Sequence, residues 1–187
     1  MSLSIALEHE VAYRISRVTT SKGDQGTTKL ADGKTLDKFD GRVELSGTLD
    51  EANCSIGVLV QHVDDEYQHT LVTIQSRIFD LGAAVATGDP QPIWQRETDA
   101  ITNATKELND QLPPLREFVL PGGGKASAYA HVARSNVRRT ERVFWKYAPD
   151  SLKEAGLGAF LNRVSDYLFV LSRIVAEQEQ LWEPLRS

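Results

Sequence analysis

A single cysteine, Cys54, stands among 187 residues, so no internal disulfide can form and nothing points to an oxidising compartment. The histidines His9, His62, His69 and His131 are scattered, with no second ligand at metal-binding spacing, which argues against a structural zinc site. No apolar run approaches the roughly 20 residues that cross a bilayer, and the first residues lack a signal-like apolar core. A cytoplasmic protein without a membrane partner is therefore expected. Positive charge is also short: 21 Lys and Arg face 26 Asp and Glu, a net charge of -5. A general nucleic-acid binder carries a basic surplus, so that class is disfavoured, and any anion site must be a local basic cluster on an acidic background. No Ser/His/Asp triad, catalytic carboxylate pair or cysteine nucleophile emerges. The chemistry, if there is any, then belongs to the ligands.

What is present reads as one globular domain over residues 1–187, with 41% hydrophobic and 25% charged residues. Residues 1–18 are expected to form a flexible N-terminal segment. Thr19 to Gly33 is rich in Thr, Gly, Lys and Asp and reads as an ordered loop or flexible arm. Helical spacing follows: Leu45, Leu49, Ala52, Ile56, Leu59 and Val63 form one apolar stripe, and Leu71, Ile74, Ile78, Leu81 and Val85 a second. Prolines after Gly88 break that second helix. A third, more polar helix is predicted from Trp94 to Leu112, a fourth from Lys125 to Tyr147 and a fifth from Leu157 to Leu181. Ala126, Ala130, Ala133 and Val137 give the fourth a narrow inner face suited to a central position. No strand pattern of comparable strength appears, so the fold class is all-α, a five-helix bundle.

Five segments could carry chemistry. Thr19 to Thr28 offers glycines, hydroxyls and Lys22 to phosphate oxygens, although taken alone it reads first as a polar surface loop. Gly122-Gly-Gly-Lys125 is not a P-loop, because Val119 and Ala126 occupy places that need Gly and Ser or Thr; it reads as a glycine hinge, with Lys125 free to face an anion. Arg134, Arg138 and Arg142 recur every four residues on the fourth helix, with Arg139 beside them. Like charges at this spacing repel by a few tenths of a kcal/mol per pair. Such a row is either a solvated basic face or a site for a polyphosphate or a partner subunit's acids. Asn162 and Asp166 border the fifth helix's apolar stripe, while Asp50 and Glu51 on the first helix are candidates to pair with the arginines.

In order and spacing, five segments resemble the trimeric, PduO-type class of ATP:cob(I)alamin adenosyltransferases. They are Thr20-Ser-Lys-Gly-Asp-Gln-Gly-Thr-Thr28, Gly47-Thr-Leu-Asp-Glu51, Phe118-Val-Leu-Pro-Gly-Gly123, Arg134-Ser-Asn-Val-Arg-Arg-Thr-Glu-Arg142 and Phe160-Leu-Asn-Arg-Val-Ser-Asp-Tyr-Leu168. The resemblance implies a five-helix homotrimer with an N-terminal nucleotide-binding loop and active sites between adjacent subunits. It implies ATP contacts from Thr20, Ser21, Lys22, Gly23, Thr28, Lys38, Arg138, Glu141, Arg142 and Asn162. It further implies a catalytic role for Arg138, Asn162 and Phe118, and an intersubunit salt bridge between Asp50 and Arg134. One departure is visible: the family more often has Thr, a basic residue and Thr before the Gly-Asp pair. Here Ser21 and Lys22 fill the last two places, shifting the basic group by one residue.

The implied reaction suits a chain without an acid/base set. Cobalt(I) of a reduced corrinoid attacks the 5′ carbon of ATP and expels triphosphate, so the protein need only align the reactants and stabilise departing charge. Mg²⁺ is expected on the ATP phosphates. Phe118 matches the family's hydrophobic wedge at the corrinoid, which excludes the lower axial ligand and eases reduction of cobalt(II). A reductase and an adenosylcobalamin-dependent acceptor enzyme are implied as partners. A non-catalytic corrinoid carrier and a purely structural bundle are the competing readings.

Overall fold

Asp40 starts the bundle: its carboxylate accepts a hydrogen bond from the Arg42 amide at 2.8 Å and caps helix α1, Gly41–Val60. The structure, a computed structural model, describes residues 19–185. The expected flexible segment 1–18 lies outside the described residues. Helix α2, Asp65–Thr87, ends at Gly88, whose φ of 79° supplies the left-handed cap. Helices α3, Trp94–Asn109, and α4, Lys125–Tyr147, follow. A single turn, α5, Asp150–Glu154, leads through left-handed Gly156 into α6, Leu157–Ile174. No helix among the described residues is long and apolar enough to cross a membrane.

The five long helices pack side by side in the order α2, α1, α4, α6, α3. Both predicted apolar stripes of α1 and α2 are buried, as are Ala130, Ala133 and Val137 of α4. The small residues of α4 allow it to sit between α1 and α6. Buried Thr140 on α4 donates its hydroxyl to the Thr48 carbonyl of α1 at 2.8 Å, and Asn53 and Gln75 bond across α1 and α2. Gly158 on α6 leaves room for Trp145: a Cβ there would fall 2.6 Å from the indole. On the far side, Trp94 meets Phe160 edge-on with centroids 5.4 Å apart.

Three expectations are corrected. The polar Thr19–Gly33 region is neither loop nor arm throughout, because it contributes to an antiparallel hairpin of β1, Thr27–Lys29, and β2, Thr35–Asp37, with Thr28 opposite Leu36. Such short strands, with hardly an apolar residue, leave no alternating pattern to read. The third helix stops at Asn109 rather than Leu112. The fifth stops at Ile174 rather than Leu181, because residues beyond it pair with the segment around Phe118 instead of continuing the helix.

Phe144 is fully buried between α4 and α6, against Trp145 and Gly158. Phe144→Ala is expected to remove about 3–5 kcal/mol of unfolding free energy, the usual cost of emptying an aromatic core site. Urea unfolding measures it, and a loss below about 1 kcal/mol would contradict this packing.

Candidate functional site

The hairpin is fastened to the end of α2. The Asp32 amide donates to the Ala86 carbonyl at 3.1 Å, while Arg42 reaches Asp32 at 3.0 Å and the Val85 carbonyl at 2.7 Å. On the hairpin itself, Thr20, Lys22, Gly23, Thr27, Thr28, Lys29 and Thr35 line a cleft of about 390 Å³. Lys38 closes one side: its amide donates to the Gly26 carbonyl at 2.8 Å, and its ammonium lies 3.2 Å from where a Gly23 Cβ would stand. A Cβ at position 23 would crowd both the lysine and the Thr27 carbonyl, each 3.2 Å away. Ser21 is exposed and carries a φ of 56°, an uncommon value for a residue other than glycine. Four of the predicted ATP contacts, Thr20, Lys22, Gly23 and Thr28, thus line one cleft beside Lys38; Ser21 sits next to it without lining it.

A second candidate surface runs along α4 and α6. Arg134 lies over the Phe169 ring at 5.8 Å, and at the other end Trp145 lies against Gly158. Four residues inward from this second contact on each antiparallel helix, Glu141 stands level with Asn162. Arg138 is exposed, and its carbonyl accepts a hydrogen bond from the Arg142 guanidinium at 3.0 Å. Asn162 accepts a bond from Arg163, which also pairs with Asp166 at 2.9 Å. Helix register and these end contacts set Arg134, Arg138 and Glu141 on the α4 border of the groove between α4 and α6, with Asn162 on its α6 border and Arg142 one turn beyond Arg138.

The acids of α1 go elsewhere than to this row. Glu51 and Glu44 both pair with Arg139, on the opposite border of α4. Asp50 is exposed and lines a small cleft against Phe79 and Gly82 of α2. Within one chain Asp50 and Arg134 do not meet, and among the described residues no carboxylate forms an ion pair with Arg134, Arg138 or Arg142. Burial, and next the like charge of Arg138, pull the Arg134 pKa below its ordinary value. Burial followed by Arg134 likewise holds His131 below 6.5, so the imidazole set edge-on to Phe169 is neutral at pH 7.

Phe169 joins this groove to an aromatic one. Its ring, with Leu115, Arg116, Glu117 and Phe118, lines a cleft of about 370 Å³. Phe118 is 74% exposed and so is not a core phenylalanine. Arg42, Phe169 and Trp182 belong to none of the sequence motifs above, yet the fold places them at these sites. Phe169 leaves one sequence signal, an aromatic residue just off the apolar stripe of α6. At the start of α4, the Glu177 carboxylate lies against Gly124, so that helix end already faces an acid of its own chain, and the idea of an anion at exposed Lys125 loses its support.

A helical bundle with a Lys- and Thr-lined cleft at one hairpin, and a basic row running into exposed aromatics, is a ligand-binding bundle suited to a polyanion. A model of the cobalamin adenosyltransferase family matches residues 18–175. A corrinoid adenosyltransferase of Mycobacterium bovis is 38% identical, covering 93% of this chain and 96% of its own length. A cobalamin adenosyltransferase of Cupriavidus metallidurans is 36% identical over 93% and 98% of the two chains. Among solved structures, a variant PduO-type ATP:corrinoid adenosyltransferase from Lactobacillus reuteri, complexed with cobalamin and ATP, superposes with a TM-score of 0.81 at 25% identity, covering 90% of this chain and all of the other. The chain belongs to the cobalamin adenosyltransferase family.

The hairpin anchor has a defined pH range. The Lys34 amide, followed by Arg42, holds the Asp32 carboxyl below its ordinary value of 3.8. A depressed carboxyl pKa gives stability that is complete above the unfolded value and lost as pH falls through the folded one. Hydrogen exchange of the hairpin amides, corrected for intrinsic rates, should therefore stay slow from neutrality down to the ordinary carboxylate range and rise only below it. Asp32→Asn should remove that acid step; a wild-type hairpin that loosens already near pH 6 would contradict the anchor.

Proposed function

We propose that the hairpin cleft and the α4–α6 groove are the nucleotide-binding parts of an active site that transfers the 5′-deoxyadenosyl group of ATP to the cobalt of a reduced corrinoid. Cobalt(I) supplies the electron pair for the new cobalt–carbon bond. The bond from C5′ to oxygen breaks, and its electrons leave with triphosphate. No side chain has to move a proton. The protein's share is to hold C5′ in line and to stabilise the departing charge, which fixed cations do at no reorganisation cost.

In this reading Thr20, Lys22, Gly23, Thr28 and Lys38 hold phosphates in the hairpin cleft, with Ser21 beside them. Arg138, Arg142, Glu141 and Asn162 hold the same nucleotide from the groove. Among the described residues no three His, Cys, Asp or Glu side chains come together to hold a metal. Mg²⁺ would ride on the ATP phosphates, where it would offset phosphate charge. Phe118, exposed beside Phe169, meets the corrinoid and keeps the lower axial ligand off cobalt.

The hairpin lies by α2, and the groove lies on the far side of α4 from α1. Among the described residues no hydrogen bond or ion pair links the hairpin to the groove residues. The reading therefore includes a second copy of the chain, with the homotrimer as assembly and with Asp50 of one copy pairing with Arg134 of the next. A one-electron reductase supplies cobalt(I), and an adenosylcobalamin-dependent enzyme takes the product. The lone cysteine and the absence of a long apolar helix among the described residues support a cytoplasmic setting.

The observation that carries this function is the row Arg134, Arg138 and Arg142, without acid partners and continuous with an exposed Phe118. Arg138→Ala should lower kcat by about 10²–10³-fold, the usual cost of removing a group that stabilises transition-state charge. Following cobalt–carbon bond formation spectroscopically with ATP and pre-reduced cobalamin measures it; near-normal turnover would sink the phosphate role.

A further inference from the structure

Phe118 has a large exposed ring on a tightly held backbone, and the groups that hold it come after the last helix. Its carbonyl accepts from the Trp182 amide at 2.7 Å, and the Leu120 amide donates to the Gln180 carbonyl at 2.8 Å. Val119 and Leu181 thus form an antiparallel bridge. Further along, the Glu177 amide donates to the Gly123 carbonyl at 2.7 Å. The approach is so close that a Cβ at Gly123 would fall 2.9 Å from the Gln178 carbonyl oxygen, and one at Gly124 would fall 2.8 Å from the Glu177 carboxylate. Both glycines also carry positive φ, 86° and 109°. The glycine run ahead of α4 is therefore a seat for the C-terminal chain rather than a hinge.

The same chain is bolted at its root. Arg173, 7% exposed, reaches Glu179 at 2.8 Å and the Pro113 carbonyl at 3.2 Å, tying the strap to the loop that leads to Phe118. At the free end the Trp182 ring stands 6.2 Å from the Phe118 ring, tilted by 51°, within the range of an aromatic pair. Phe169 lines the cleft that Phe118 borders, and Trp182 is its other aromatic neighbour.

We propose that residues 176–182 act as a strap and that Trp182 is a positioning residue which fixes the direction of the Phe118 ring toward the corrinoid. The inference rests on the reading of Phe118 given above. When the lower axial nitrogen leaves cobalt(II), the cobalt–nitrogen bond breaks and the nitrogen keeps its electron pair. A phenyl ring excludes that nitrogen only if it stays in the vacated position, and a residue exposed on a loop stays there only if something holds it. Trp182 from one side and the backbone bridge from below supply that hold. Cobalt(I) has little affinity for a lower axial ligand, so the strap matters for reduction and not for the later attack on ATP.

Trp182→Ala and Trp182→Phe test this, assayed with ATP from cob(II)alamin plus a chemical one-electron reductant and, separately, from pre-reduced cob(I)alamin. Trp182→Ala should lose about three- to tenfold from cob(II)alamin, the range one aromatic pair supplies. It should lose less than about twofold from cob(I)alamin, with the KM for ATP unchanged and Trp182→Phe recovering most of the rate. The axial nitrogen splitting in the cobalt(II) electron paramagnetic resonance spectrum should persist in Trp182→Ala where the wild type loses it. Equal losses from both starting states, or none, overturn the strap proposal, whereas a wild type that forms no cobalt–carbon bond overturns the adenosyltransferase reading beneath it.

Discussion

Repulsion along one helix face organises this molecule. Arg134, Arg138 and Arg142 stand a turn apart on α4, and the two carboxylates that α1 sends toward that helix are both taken by Arg139 on the opposite border. Each like-charged pair on a helix costs a few tenths of a kcal/mol, and the half-buried Arg134 adds a desolvation cost that lowers its pKa. A chain with a net charge of -5 has acids to spare, yet none of the described ones neutralises the row. The arrangement makes sense if the missing negative charge arrives with a ligand or another copy of the chain. ATP brings four negative charges or nearly so, and Asp50 of a neighbour would bring one more.

The bundle is built to display that face without disturbance. Small residues on the inner side of α4 let it lie between α1 and α6, and Gly158 lets the Trp145 indole seal the seam at one end. With α4 locked on both sides, its outer border is a rigid platform, the kind of support an electrostatic site needs. Phe169 then does two things at once. Its face takes the Arg134 guanidinium, and its surroundings open onto the Phe118 cleft, so the basic row and the aromatic cleft are joined through one ring.

The apolar stripes at Leu45 to Val63 and Leu71 to Val85 were legible in the sequence because burial on one side of a helix imposes a period, and all of those residues are buried. The charged row was legible for the same geometric reason. The hairpin was not, since strands of three residues with Leu36 as their lone apolar member carry no periodic signal. Nor was the end of α6: Ala176 to Leu181 contains no glycine or proline to stop a helix, and a tertiary bridge to Val119 overrides the local preference. Arg42 and Trp182 escaped because their roles depend on partners at Val85 and Phe118, far off in the chain. Asp50 and Arg134 were paired by resemblance, and one chain alone does not bring them together.

The central claim is that each active site takes its hairpin from one protomer and its arginine row from another. Lys22→Ala and Arg138→Ala variants, each defective alone, can be unfolded or dissociated together and allowed to reassemble as mixed oligomers. In a head-to-tail ring about one site in four then receives an intact hairpin and an intact row, so turnover should return to about a quarter of the wild-type value. Mixed oligomers that form but stay as inactive as their parents would contradict the account.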